Sequence, residues 1–240
     1  KAPPRLWQIT KTPVAGMGFV ATTSNSSATT TSSHLYFAER GTGYILKADT
    51  ETGALVQLTN KLFPRTYEAL FNSEGGVVLR SIDDEGNITS FAGYPSESAA
   101  ATSSASKKPK GGAATLSGRY LAPNIRTLAP VQKTRELLML LPSSQGGSSV
   151  VLSSWNGTKE KTLFSSPLSG WKLFSLADGR TFLSLLPADG AVGYAFELKG
   201  SVLVPRLRDI PGLTFLPRTS SDAVLFGQSN GGLSLFFSSK

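Results

Sequence analysis

Cysteine is absent from this chain of 240 residues, and His34 is its only histidine. No disulfide can form and no thiolate can serve as nucleophile or metal ligand, so a Cys–His pair and a multi-histidine zinc site are both excluded. A Ser–His–Asp triad would have to use His34, and no Gly-x-Ser-x-Gly elbow accompanies it. His34 is therefore read as a boundary residue that opens a strand beside a polar loop. Charge is sparse, at 17% of residues. The longest purely apolar run, Leu137 to Leu141, is far too short to cross a bilayer. Convincing amphipathic helix periodicity is missing. No Walker A or Rossmann glycine pattern follows a strand and opens a helix, which leaves nucleotide binding without support. No cofactor and no metal are expected.

An apolar content of 40% is enough for a real core. Low charge with abundant Ser, Thr and Gly points to an extracellular, cell-surface or periplasmic protein. No signal peptide is visible, and Lys1-Ala2-Pro3-Pro4 reads as a linker left after a leader or anchor has been removed. A net charge of +8 suits an anionic partner.

Apolar residues recur in short runs bounded by Gly, Asn, Asp, Ser and Pro, the signature of strands and hairpins. Five prolines, Pro13, Pro64, Pro123, Pro167 and Pro211, lie 51, 59, 44 and 44 residues apart, each ahead of a similar strand. The clearest unit follows Pro167: Trp171 to Leu176, Thr181 to Leu186, Ala191 to Leu198 and Val202 to Leu207, turned at Asp178-Gly179, Asp189-Gly190 and Gly200. The same frame divides the chain into blades at about 14–60, 65–122, 125–165, 170–208 and 213–240. The last lacks a fourth strand, and residues 5–10 resemble one. The expected fold is a single all-β domain, a five-bladed β-propeller of four-stranded antiparallel blades, closed by pairing of the N-terminal strand with the last blade. Radial stacking lets each blade cover the next, so inner strands read as near-continuous apolar runs, as Leu137 to Leu141 does.

The stretches "YEALFNSEGGVVLRSIDDEGNITSF" (Tyr67 to Phe91) and "YILKADTETGALVQLT" (Tyr44 to Thr59) carry a resemblance to WD40-like and TolB-like propeller repeats. No Trp-Asp dipeptide ends a third strand, and the Asp-box pattern at Ser81 to Gly86 is one residue off. The resemblance implies a propeller that presents loop faces to a ligand.

Two segments, 21–33 and 95–118, are low-complexity loops rich in small polar residues, the second carrying Lys107-Lys108-Pro109-Lys110. The frame puts both on one face of adjacent blades. Lys11, Arg65, Arg126 and Arg208 recur at the corners that lead into first strands, where they would focus positive potential on an acidic ligand. Glu68 is the only acidic residue on a first strand, and a pairing with an arginine of a neighbouring blade is expected for it. Asp83-Asp84-Glu85-Gly86-Asn87 lacks EF-hand spacing and is read as a turn. Trp7, Trp155 and Trp171 are read as packing residues. Nucleic acid is disfavoured because no aromatic platform accompanies the charge.

The expectation is thus a non-enzymatic binding or scaffold module that engages a protein or an anionic polysaccharide through a loop face. The alternatives are a glycan-acting hydrolase of propeller type, which needs paired carboxylates, and a fragment of a larger membrane-anchored propeller protein.

Overall fold

The computed structural model describes residues 8–23, 31–50, 52–96, 115–131, 134–143, 146–176, 179–185, 192–217, 223–227 and 233–237. The chain divides into two compact units, Lys1–Pro123 and Asn124–Lys240. Among the described residues all regular structure is β, and no helix is long and apolar enough to cross a membrane.

Among its described residues the first unit holds two four-stranded antiparallel sheets. One runs β1 (Val14–Thr23), β2 (Thr31–Glu39), β3 (Ile45–Asp49), β4 (Leu55–Gln57) in spatial order. The other runs β5 (Thr66–Phe71), β6 (Val77–Ile82), β7 (Ile88–Ser96), β8 (Thr115–Tyr120). Each sheet keeps chain order, the up-and-down meander of a propeller blade. Both long hairpins reach further into the polar segments than composition suggests. β1 and β2 stay paired out to Thr23 and Thr31, and β7 and β8 out to Ser96 and Thr115. β8 therefore begins inside the segment 95–118 that is expected to be a low-complexity loop. β7 continues through Pro95 because β6 has already ended, with Val77 opposite Gly93, so the missing amide faces one neighbour only. Lys107 to Lys110 and the tips of both polar segments lie outside the described residues.

The two sheets of this unit pack face to face. Val20, Tyr36, Ala38 and Ile45 of the first meet Ala69, Val77, Leu79 and Phe91 of the second in one cluster. The first strands approach closely enough to exclude side chains. A Cβ on Gly16 would lie 1.9 Å from the Ala69 carbonyl oxygen, and one on Gly18 would lie 2.6 Å from the Phe71 Cβ. Gly16 opposite Ala69 and Gly18 opposite Phe71 make β1 and β5 run in the same direction. Because β7 is parallel to β5, Thr23 and Ser96 fall at the same end of their sheets. The other end is tied by backbone hydrogen bonds from Gly41 to Thr66, from Arg65 to Gly41 and from Phe63 to Thr42.

Among its described residues the second unit holds two four-stranded sheets and one of three strands. They are β9 (Thr127–Val131), β10 (Glu136–Pro142), β11 (Ser148–Ser154), β12 (Lys161–Ser166); β13 (Trp171–Ser175), β14 (Thr181–Leu185), β15 (Val192–Lys199), β16 (Val202–Pro211); and β17 (Thr214–Pro217), β18 (Ala223–Gly227), β19 (Leu233–Phe237). Leu137, Leu138, Met139 and Leu140 are buried in succession. Both faces of β10 are therefore covered, which is the physical reason its sequence does not alternate. Leu138, Leu140 and Val150 pack with Trp171, Leu173 and Leu183 across two sheets.

The proline period has a conformational cause at three of its five positions. Arg65, Asn124 and Gly212 follow Pro64, Pro123 and Pro211 with φ of 58°, 55° and 59°. Proline followed by a left-handed residue is the signature of a type II turn, which reverses the chain into the next first strand. Val14 and Leu168, after Pro13 and Pro167, do not adopt that conformation. Residues 1–7 lie outside the described residues, Gln8 to Thr10 form no strand, and Ile9 packs against Leu35, Phe37 and Ala48.

Candidate functional site: a polar row across one sheet

β5, β6 and β7 place Glu68, Arg80 and Ser90 side by side: Glu68 is opposite Arg80 and Arg80 opposite Ser90. Directly opposed residues share a face, so the row crosses the sheet from its first strand to its third. Arg80 Nη1 donates to Glu68 Oε2. The pairing lies within one sheet, which corrects the expectation of a partner from a neighbouring blade. Cross-strand register brings the two side chains together without any contribution from outside.

The arrangement is asymmetric. The Arg80 side chain is 5% exposed and that of Glu68 is 38% exposed. Val77, Val78 and Leu79 precede the arginine in the strand and are buried. A guanidinium in such a place is tolerable only when paired and hydrogen-bonded. Glu68 meets that need with one oxygen, and Oε1 has no hydrogen-bond partner among the described residues. A β-bulge between Thr66 and Glu68 redirects Tyr67. Its ring lies 5.5 Å from the Arg80 guanidinium carbon. Burial pushes the Tyr67 phenol above its ordinary value; the Arg80 charge opposes this and the Glu68 charge adds to it. The phenol stays protonated and can donate. At the far end, the Ser90 hydroxyl is buried with no hydrogen-bond partner among the described residues.

The sequence-predicted residues fall as follows. Lys11 is exposed. Arg65 is paired with Asp84 at 2.6 Å, with side-chain exposures of 54% and 78%. In the second unit, Arg126 donates to the Ser169 carbonyl at 2.6 Å and to Ser148 Oγ at 3.3 Å. Arg208 is exposed beside Asp209, whose Oδ1 accepts from the Tyr194 hydroxyl at 2.9 Å. Glu68 is brought to Arg80 and Tyr67, whereas Arg65 is engaged by its own acidic partner. His34 lies inside β2, opposite Val20 and Asp49, rather than at a strand boundary. Asp83 closes a turn: its carboxylate accepts from the Asn87 backbone at 2.6 Å and from the Asn87 side chain at 3.0 Å. Those contacts, led by the Asn87 side chain, hold its carboxyl below the ordinary range. Among the described residues no three His, Cys, Asp or Glu side chains gather as a metal site. Trp155 and Trp171 are buried, and Trp7 lies outside the described residues.

Arg80 and Tyr67 were not legible as partners of Glu68. The available signal was a lone arginine inside the apolar run Val77-Val78-Leu79-Arg80, where a strand fully covered on both faces leaves no route to solvent.

No family model and no curated protein matches the sequence. Among solved structures, the chain is similar to a gluconolactonase from Xanthomonas campestris, with 12% identity, 84% of this chain and 81% of that chain covered, and a TM-score of 0.36. It is also similar to a GH43_1 enzyme from Xanthomonas citri complexed with xylotriose, with 9% identity, 94% and 87% covered, and a TM-score of 0.37. A third is an acylaminoacyl peptidase from Pyrococcus horikoshii, with 9% identity, 85% of this chain but 42% of that one covered, and a TM-score of 0.34. These neighbours are described as enzymes, which runs against the expectation of a non-enzymatic binding or scaffold module, and a likeness this distant carries no activity over to this chain. The likeness transfers no residue role. Four four-stranded antiparallel meanders are consistent with a propeller.

Proposed function

We propose that the chain is a single-domain, five-bladed propeller of the WD40-like or TolB-like type that hydrolyses an anionic polysaccharide outside the cell or in the periplasm, its N-terminal segment pairing with the last sheet. The observation that carries the catalytic reading is Glu68. Among the described residues it is the only carboxylate on the first strand of a sheet, it is half-exposed, and one of its oxygens is left open while Arg80 holds the other. A fixed carboxylate with an open oxygen is suited to take a proton from water.

The roles divide between two side chains held at one guanidinium. Glu68 accepts a proton from the attacking water as its oxygen bonds to the anomeric carbon. The bond to the departing sugar breaks, and the Tyr67 phenol gives its proton to the leaving oxygen. Glu68 then returns a proton to Tyr67, which restores both groups. Most glycosidases use two carboxylates, though tyrosine replaces one of the pair in some. In the same unit, exposed Lys11 adds positive charge that favours an acidic chain.

The test is release of reducing ends from a panel of acidic and neutral polysaccharides. The native chain is expected to act on at least one acidic polymer. Glu68→Gln should lower the rate by about 10²–10⁴-fold, the usual worth of a positioned acid or base, with retained strand circular dichroism. Absence of release from every polymer by the native chain, or full activity in Glu68→Gln, overturns the reading.

A further inference from the structure

The opposite face of the same sheet carries a feature that the hydrolytic reading does not use. Phe63 and Phe91 stand with ring centroids 4.9 Å apart and planes tilted by 45°, which leaves a wedge between their faces. Lys61 Nζ fills it, 5.0 Å from the Phe63 centroid and 4.8 Å from that of Phe91. Tyr120 adds a third ring edge-on to Phe91 at 5.2 Å and is itself 59% exposed. Phe63 and Phe91 are anchored in the core cluster of this unit, so the wedge is rigid on its inner side. Lys61 is exposed and neighbours Leu62, which is 54% exposed, so solvent reaches the opening.

Two ring faces converging on one cation define the geometry of an aromatic cation site. A lysine ammonium is a poor occupant, because it is compact and strongly hydrated and surrenders water to enter. An ammonium whose hydrogens are replaced by methyl groups has little hydration to lose and offers apolar surface to the rings. We infer that Phe63, Phe91 and Tyr120 form a binding site for a trimethylammonium group, which Lys61 occupies as a tethered competitor when no ligand is present. A short tether holds a competitor at an effective concentration in the millimolar range, so the native chain binds such a ligand weakly. Removal of Lys61 exposes the site.

The experiment titrates Lys61→Ser and the native chain with tetramethylammonium, with choline, and with 3,3-dimethylbutan-1-ol, the neutral isostere of choline, while the ring resonances of Phe63, Phe91 and Tyr120 are followed by NMR. Lys61→Ser is expected to bind both cations about tenfold more tightly than the native chain and to ignore the neutral alcohol. Phe91→Leu in the same background should abolish the response. In the native chain, millimolar choline should move the upfield-shifted Lys61 side-chain resonances toward their solvent positions, a readout that requires no variant to fold. Silence of the rings in folded Lys61→Ser, or an equal response to the neutral alcohol, overturns the inference. Glu68 lies on the other face, so cation binding and polysaccharide hydrolysis stand or fall separately.

Discussion

Each unit contains an arginine–glutamate pair with one partner buried, and the two pairs are built the opposite way round. In the first unit the cation is interred and the anion reaches solvent: Arg80 is 5% exposed and Glu68 38%. In the second the anion is interred and the cation reaches solvent: Glu197 is 4% exposed and Arg206 30%. Arg206 Nε donates to Glu197 Oε2 at 2.8 Å, and Lys199 Nζ approaches Oε1 at 3.7 Å. The second carboxylate thus has cations on both oxygens, whereas the first has one on a single oxygen. A buried pair is weak evidence for stability, since desolvation offsets attraction. The difference therefore bears on availability rather than strength. The Glu68 carboxylate has capacity left for a substrate, and the Glu197 carboxylate has spent it.

The sharpest way to break this comparison is to remove the exposed partner from each pair. Glu68→Leu takes the carboxylate away from buried Arg80, and Arg206→Leu takes the guanidinium away from buried Glu197. Each should cost about 3–5 kcal/mol in urea unfolding, with Arg206→Leu at the low end because Lys199 remains. The double replacement Glu68→Leu with Arg80→Met should recover most of the loss, since a buried pair exchanged for apolar groups of similar size is often neutral. If the single and double variants melt alike, the Arg80 burial argument fails.

Next in size is a packing contrast. Gly16→Ala in the first unit drives a methyl into the Ala69 carbonyl at 1.9 Å, and overpacking of this kind costs about 1–3 kcal/mol. Gly200→Ala in the second unit meets no atom within 4 Å but sits at φ +61°. Its cost is confined to left-handed backbone strain, about 1–2 kcal/mol. Equal cost with rescue of Gly16→Ala by no neighbouring change would remove the case for close approach of β1 and β5.

A pH contrast is smaller. Asp83 is held below the ordinary carboxyl range by Asn87. Its contacts favour the folded chain above the pH at which a free aspartate titrates, about 3.9, and that contribution drains away as the pH falls through the folded value. Tyr194 in the second unit is pushed upward, first by its hydrogen bond to Asp209 and then by burial. Its contribution is complete below about 10 and is lost as the pH rises through the higher folded value. Asn87→Ala should flatten only the acid limb of a melting-temperature profile, and Tyr194→Phe only the alkaline limb. A variant that alters both limbs equally would contradict these assignments.

The smallest effect concerns the corners. Arg65 adopts a left-handed conformation that Gly212 adopts in the corresponding turn of the second unit. Arg65→Gly should change stability by less than about 1 kcal/mol, because relief of strain is offset by the greater freedom of glycine in the unfolded chain. The loss of the exposed contact to Asp84 adds little. Destabilisation well beyond that value would show that Arg65 does more than turn the chain.

Strand positions were highly legible because they depend on local chemistry. β6 spans Val77–Ile82 as the apolar run between Gly76 and Asp83 dictates, and Asp84-Glu85-Gly86 forms the turn that follows. Strand ends were less legible where composition and pairing disagree. Thr115 to Gly118 reads as low-complexity sequence, yet it pairs with Gly93 to Ser96 because the ladder continues for as long as a partner strand is in register. The candidate site was half legible. Glu68 is conspicuous as the one acidic residue on a first strand, but its partner depends on which residue of β6 lies opposite, and a bulge at Thr66/Glu68 shifts that by one place. The wedge that holds Lys61 joins residues from a connection, a third strand and a fourth strand, and no spacing in the sequence announces it.

Alternation, turn residues and proline placement thus decided by themselves that this chain forms short antiparallel strands in repeated meanders, because each of those signals acts over a few neighbouring residues. Which charges are buried, which oxygen of Glu68 stays open, and which rings converge on Lys61 were decided only when register and sheet packing brought distant residues together, because desolvation and pairing depend on what covers a side chain rather than on what adjoins it in sequence.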